Sequence, residues 1–274
     1  MLKQRLFTAI ILIPLIVWVL SLSSQTLAYV ISIFVILGGY EWAGICGWHS
    51  NITRSIYTTA MSLVLLIFYW FWHQPTIMYI LLVACLWWLV ALYWVLHYQY
   101  GSVRWPLTPF LSALLGFLIL PPAAIALLFL HKHENYGWHW VIFLLVLIWV
   151  ADSSAYFVGR RWGKIKLADR ISPKKTWEGV VSALLMSSIV SLGYAVFNSM
   201  SLMRIFWFVL LCLATVIVSI VGDLLESLFK RQVGLKDSSR ILPGHGGILD
   251  RIDSLTSAAP IFVIGLISLD QKVF

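Results

Sequence analysis

Residues Ser227 to Asp253 gather most of the side chains in this sequence that could do chemistry. They are Lys230, Arg231, Lys236, Asp237, Arg240, Asp250, Arg251 and Asp253, set around the turn Pro243-Gly244-His245-Gly246-Gly247. Just upstream, the last turn of a long apolar run carries Asp223 and Glu226. These two carboxylates stand three positions apart and share a helix face, and Asp250 and Asp253 do the same if a helix begins near Asp250. Carboxylates brought together at the ends of neighbouring helices repel one another unless a cation sits among them. An all-oxygen set without thiolate favours Mg2+, which takes one or two carboxylates and completes its shell with substrate phosphate and water. His245 has no second ligand at helical spacing, so zinc is not expected. Gly244, Gly246 and Gly247 permit positive φ and a close approach of backbone N–H groups to a phosphate. Acids for a hard cation, beside bases and a glycine turn for an anion, point to chemistry on a phosphate.

A second polar stretch repeats the theme. Lys164, Lys166 and Arg170 precede Ser172-Pro173-Lys174-Lys175-Thr176-Trp177-Glu178-Gly179. Ser172 can cap a helix that Pro173 opens at its first position. That arrangement would aim backbone N–H groups, Lys174, Lys175 and the Thr176 hydroxyl at an anion. A basic loop facing an anionic leaflet explains the charge but not the compact order of these residues. Asp152 lies near the end of the preceding apolar run, in ADSSAYFVGRRWGK. A carboxylate at the bilayer centre costs on the order of 3 kcal/mol, less toward the interface. Either Asp152 or Asp223 alone reads as a helix-end acid reaching for water. The two together, on one side and flanking two basic loops, read as a site.

The elements that must hold these residues are membrane helices. Mean hydropathy is +0.92, and with 61% hydrophobic and 11% charged residues a soluble globular chain is excluded. The formal charge of +8 sits beside apolar runs, which points to anionic lipid and anionic substrates rather than nucleic acid. Apolar runs cover Leu6–Leu22, Leu27–Cys46, Ile56–Trp72, Ile77–Leu96, Phe110–Leu130, His139–Val158, Gly179–Phe197, Ile205–Val221 and Leu255–Leu269. Each approaches the roughly 20 residues that a spanning helix needs. The first is long for a signal peptide and lacks a good cleavage site, so it reads as a retained helix.

The fold class is therefore all-α: a polytopic integral membrane protein of about nine transmembrane helices, with its N-terminus in the cytosol. That orientation puts Lys3, Arg5, Arg54, Arg104, Arg160, Arg161, Lys164, Lys166, Arg170, Lys174, Lys175, Lys230, Arg231, Lys236, Arg240 and Arg251 inside. Only Lys132, Arg204 and Lys272 of the 19 Lys and Arg residues remain outside, as the positive-inside rule demands. The chain divides into residues 1–130, about five spans, and a catalytic region 131–274 with cytosolic loops 159–178 and 224–254. In the first part Glu41, His73 and His97 lie near span ends, where snorkelling or a local bond accounts for them. The histidines of the loop His131–His139 read as solvated, and Cys46, Cys85 and Cys212 as small buried residues.

The stretch from Ser227 to Asp253 resembles the signature of the CDP-diacylglycerol synthases, or phosphatidate cytidylyltransferases. The matching residues are Ser227, Lys230-Arg231, Lys236-Asp237, Ser239, Leu242-Pro243, His245-Gly246-Gly247, Asp250-Arg251 and Asp253. Asp223 in GDLLES and the SPKKTWEG stretch also fit, and the likeness covers about Asp152 to Asp253. One departure is Ser153-Ser154, where the family has a small residue, usually glycine. The resemblance implies transfer of a cytidylyl group from CTP to phosphatidate, with Mg2+, on the cytosolic face of a bacterial inner membrane.

On that reading Asp223, Asp250, Lys230, Arg231, Lys236 and Asp237 are the candidate catalytic residues. Ser172, Lys174, Lys175, Thr176, His245, Gly246, Gly247 and Arg251 would contact substrate phosphate. Asp223 and Asp250 would hold the metal, with Asp253, Glu226 and Asp152 as further ligands and room for a second cation. Expected partners are CTP, phosphatidate and the bilayer, with a second copy of the chain as a candidate. Two rivals remain. A secondary transporter also places aspartates in membrane helices, but it needs no glycine-rich basic loop. A CDP-alcohol phosphotransferase would carry an Asp-Gly start, an Ala-Arg pair and two later aspartates, a pattern not found here.

Overall fold

The computed structural model describes residues 14–100, 108–132, 137–239, 241 and 246–272. A helix over 14–21 (α1) precedes α2 (Ser24–Ile45), α3 (Asn51–Trp70), α4 (Gln74–Tyr100), α5 (Pro109–Lys132) and α6 (Gly137–Trp162). A short hairpin, β1 (Lys166–Ala168) and β2 (Ser172–Thr176), leads into α7 (Trp177–Phe197), α8 (Leu202–Gln232) and α9 (Leu249–Lys272). The described residues thus hold nine helices in the expected order. Eight of them, α2 to α9, are long and apolar enough to cross a membrane; much of the first apolar run lies outside the described residues. The chain is an integral membrane protein.

Backbone groups in lipid must find partners inside their own element, and hydroxyls in these helices follow the same economy. Ser32 donates to the Ala28 carbonyl, Thr215 to Leu211 and Ser219 to Val216, so each polar side chain is satisfied one turn back. Helix starts are capped as well: Ser23 Oγ accepts from Thr26 N–H and Ser201 Oγ from Arg204 N–H. Helix α5 is the most enclosed span and packs on α2, α3, α4, α6 and α9. Beside it, Trp140, Phe143, Tyr194, Phe208 and Phe262 from α6, α7, α8 and α9 form one aromatic cluster. Helices α8 and α9 share the most extensive interface. A Cβ on Gly222 would strike the Ser257 hydroxyl and the Asp253 carbonyl, so a small residue is what lets these backbones meet.

Four expectations need correction. Ser172 to Thr176 form a strand, not the first turn of a helix, with Lys166 opposite Thr176 and Ala168 opposite Ser172. Proline pushes the residue before it into extended geometry and is tolerated at a strand edge. The cap belongs to Thr176, whose Oγ1 accepts from Gly179 N–H at 3.3 Å. Glu178 in that first turn accepts from the N–H groups of Lys164 and Ile165 at 2.9 and 3.2 Å and pins the hairpin to α7. Helix α8, secondly, does not end near Asp223 but runs on to Gln232. Leu224, Leu225, Leu228 and Phe229 keep an apolar face buried after the mean hydropathy has fallen. Thirdly, His131 is not solvated: it is buried in α5, with its ring nitrogens 2.9 Å from Ser24 Oγ and 2.7 Å from the Leu20 carbonyl. The fourth concerns Glu41, whose setting belongs to the site.

Candidate active site

One end of the bundle collects the cytosol-assigned loops. There the hairpin lies against α6, α7 and α8, and the far end of α2 meets the start of α9. Two charge clusters occupy this end. In the first, Lys175 of β2 reaches Asp223 of α8, with Nζ 2.6 Å from Oδ2 and both side chains about a quarter exposed. Asp152 of α6 lies in the field of Lys175 and Asp223 and beside Ser254. Asp253 of α9 lies in the field of Asp223, Glu226 and Lys175. Three helices thus contribute three aspartates around one ammonium.

The second cluster is buried. Lys230 Nζ stands 3.0 Å from Glu226 Oε1, one turn back on α8, and 2.5 Å from Asp250 Oδ1 on α9. The other oxygen of Asp250 accepts from Ser238 N–H at 3.0 Å, Ser238 Oγ at 3.0 Å and Gly247 N–H at 2.7 Å. Gly246 adopts φ +81°, a region open to glycine at little cost. Ser238 and Gly247 therefore both bind the Asp250 carboxylate.

Glu41 closes this cluster from the first half of the chain. It is not a snorkelling acid: it is 2% exposed and accepts hydrogen bonds from Ser238 Oγ, Ser239 Oγ, Ile248 N–H and Leu249 N–H. Sequence reasoning missed it. The available signal was a carboxylate inside an apolar run with no Lys or Arg three or four positions away; such a group needs a partner from elsewhere in the chain.

The other candidates are spread around these clusters. Lys174, Lys236, Asp237 and Arg251 are exposed, as is Arg231, whose guanidinium donates to the Leu235 carbonyl at 3.0 Å. Ser172 is half-buried in β2, and the buried Thr176 spends its hydroxyl oxygen on the α7 cap. His245, with Arg240, Pro243 and Gly244, lies outside the described residues.

The donor set is suited to a hard cation. Among the described residues no three His, Cys, Asp or Glu side chains converge as tightly as a formed metal site requires; Lys175 and Lys230 stand between the acids. Yet Asp152, Asp223 and Asp253 outnumber Lys175 in the first cluster, all offer oxygen, and no cysteine is near. Oxygen donors without a thiolate are of the kind that suits Mg2+ rather than zinc.

Comparison with known proteins adds an independent line. Residues 3–269 match the Cytidylyltransferase family. The chain is 37% identical over 282 residues to the phosphatidate cytidylyltransferase of Haemophilus influenzae, covering 96% of this chain and 97% of that one. It is 41% identical over 268 residues to the phosphatidate cytidylyltransferase of Pseudomonas aeruginosa, covering 96% of each.

Proposed function

The chain belongs to the cytidylyltransferase family, and from that premise we infer that it transfers the cytidylyl group of CTP to phosphatidate. A phosphate oxygen of phosphatidate forms a bond to the α-phosphorus of CTP. The bond from that phosphorus to the oxygen bridging to the β-phosphate breaks, and diphosphate leaves with the electron pair. CDP-diacylglycerol remains in the membrane. A phosphate monoester has a second pKa of about 6 and is largely dianionic at neutral pH, so the nucleophile needs no general base.

The difficulty lies in bringing two anions together, and this chain answers it with charge and alignment. The observation that carries the reading is Lys175, held 2.6 Å from Asp223 where aspartates of three helices meet. That pairing fixes an ammonium at the junction of hairpin and bundle, where it can neutralise a phosphate of CTP; Lys174 in β2 and Arg251 at the start of α9 are exposed and add positive charge at this end of the bundle. Asp223 is the central candidate for Mg2+, with Asp152 and Asp253 as further ligands; Glu226 and Asp250, paired with Lys230, would have to exchange that contact to join it or to hold a second cation. Bound there, Mg2+ would neutralise the CTP phosphates and stabilise charge on the leaving diphosphate. We place this end of the bundle at the cytosolic face of a bacterial inner membrane, because its loops hold most of the basic residues.

The test is release of diphosphate by purified protein as a function of Mg2+, CTP and phosphatidate, for wild type and Asp223→Asn. Asp223→Asn should melt as wild type and be inactive, because it removes ligand charge at near-constant volume. A folded Asp223→Asn protein with unchanged kcat and unchanged Mg2+ dependence would remove this residue from the site.

A further inference from the structure

We infer that Glu41 is a positioning residue for the site: a carboxylate from the second helix that holds Ser238 and Ser239 against the start of α9, and with them Asp250. The inference rests on the cytidylyltransferase reading of these residues. Helix α9 begins at Leu249, and the first N–H groups of any helix have no partner within it. Two N–H groups at this start, those of Ile248 and Leu249, donate to Glu41 at 2.9 and 2.8 Å. Both donors are buried, at 8% and 2% exposure, which leaves water little access to them. The same carboxylate takes the hydroxyls of Ser238 and Ser239 at 2.9 and 2.6 Å. One side chain thus ties Ser238-Ser239, in the middle of the connection, to the start of α9, and does so from about 200 positions away in sequence.

The contact also reaches the charged residues. Ser238 Oγ lies 2.9 Å from Glu41 and 3.0 Å from Asp250, and its single proton is shared between the two acids. From Asp250 the chain of contacts runs to Lys230 and then to Glu226. Gly247 is enclosed by the same groups: a Cβ there would collide with Ser238 Oγ and with both carboxylate oxygens of Glu41. The helix that presents Glu41 is itself locked. Its neighbour Trp42 donates Nε1–H to the Ser112 carbonyl at 2.8 Å and meets Phe229 of α8 edge-on, ring centroids 5.1 Å apart. Glu41 is therefore held in place by contacts of its own helix that do not involve Ser238 or Ser239. Hydrogen bonds to a charged acceptor are the strong ones, and four of them on one buried carboxylate define where Asp250 and Lys230 stand.

Gln at this position keeps the size but loses the charge and turns one acceptor into a donor facing N–H and O–H groups. Purified Glu41→Gln should raise KM for CTP about 10- to 100-fold, the scale of one or two charge-assisted bonds. Its KM for phosphatidate should stay within about twofold. Hydrogen exchange in the peptide 246–252 should quicken while the rest of α9 stays protected. Glu41→Asp, which keeps the charge, should recover part of the CTP affinity. Ser239→Ala removes one donor while Glu41 keeps those of Ser238, Ile248 and Leu249, and keeps the proposal testable should Glu41→Gln fail to fold. It should raise KM for CTP by about 3- to 10-fold, and adding it to a folded Glu41→Gln should change nothing more. A fall in kcat alone, with KM for CTP and exchange at 246–252 unchanged, would mean fewer folded molecules and would overturn the proposal. So would wild-type KM for CTP in Ser239→Ala. Wild-type protein that makes no CDP-diacylglycerol would instead refute the functional reading itself, and the exchange data would still report on the loop.

Discussion

Lys230 is a buried cation whose removal should be costly. Its side chain is 7% exposed and sits between Glu226, 4% exposed, and Asp250, 9% exposed. Lys230→Met keeps most of the stem's volume and deletes the charge. Asp250 would still accept from Ser238 and Gly247, but Glu226 Oε1 would lose the ammonium 3.0 Å away. Removing one partner of a buried ion pair costs about 3–5 kcal/mol, because the other is left buried and uncompensated. At about 2–4 °C per kcal/mol for a chain of this size, the melting temperature should drop by roughly 6–20 °C. Intrinsic fluorescence in detergent reads this directly, since the chain has 15 tryptophans. Glu226→Gln/Lys230→Met removes both charges of the helical pair and should melt well above Lys230→Met alone. If Lys230→Met melted within about 2 °C of wild type, or the double variant fell as far as the single, the uncompensated acid would not be the reason Lys230 matters.

Further outcomes follow from the same geometry. Lys175→Gln should lower kcat/KM about 10- to 100-fold with an unchanged melt, since its pair with Asp223 is partly solvated and a bond to a charged group is worth about 1.5–3 kcal/mol; activity that only tracked the anionic lipid of the assay would assign Lys175 to the leaflet instead. Thr176→Ser should keep both stability and activity, whereas Thr176→Ala should cost about 1 kcal/mol as a lost helix cap, read as a small drop in the melt. In a background lacking Cys46, Cys85 and Cys212, cysteines at the exposed positions 164 and 236 should react with an impermeant reagent only after permeabilisation of spheroplasts. Labelling in intact spheroplasts would invert the topology.

Hydropathy exposed the helices because lipid demands long apolar runs; charge placement supplies only an expected orientation for them. It misjudged α8, because that helix changes from an all-apolar span to an amphipathic one at Asp223, and a window average cannot see the periodic burial of Leu225, Leu228 and Phe229. Ser172-Pro173 suits a helix start or an edge strand equally well, and pairing with Lys166–Ala168 decided between them. The aspartates were legible as acids in apolar surroundings, and the fields linking Asp152, Asp223 and Asp253 link residues the sequence had already singled out. Glu41 and His131 were not legible. Each looked like a polar residue near a span end, and what makes each buried lies far away in the chain: Ser238 and Ser239 for Glu41, Leu20 and Ser24 for His131.

The central claim is cytidylyl transfer, and the label position in CTP tests it most directly. Purified protein, phosphatidate and Mg2+ are incubated with CTP labelled in the α-phosphate in one reaction and in the γ-phosphate in a second. The account predicts that α-label enters the lipid fraction mole for mole with the diphosphate released, while γ-label appears only in diphosphate. Lipid that stays unlabelled by α-labelled CTP, or that acquires label from the γ-phosphate, would contradict it.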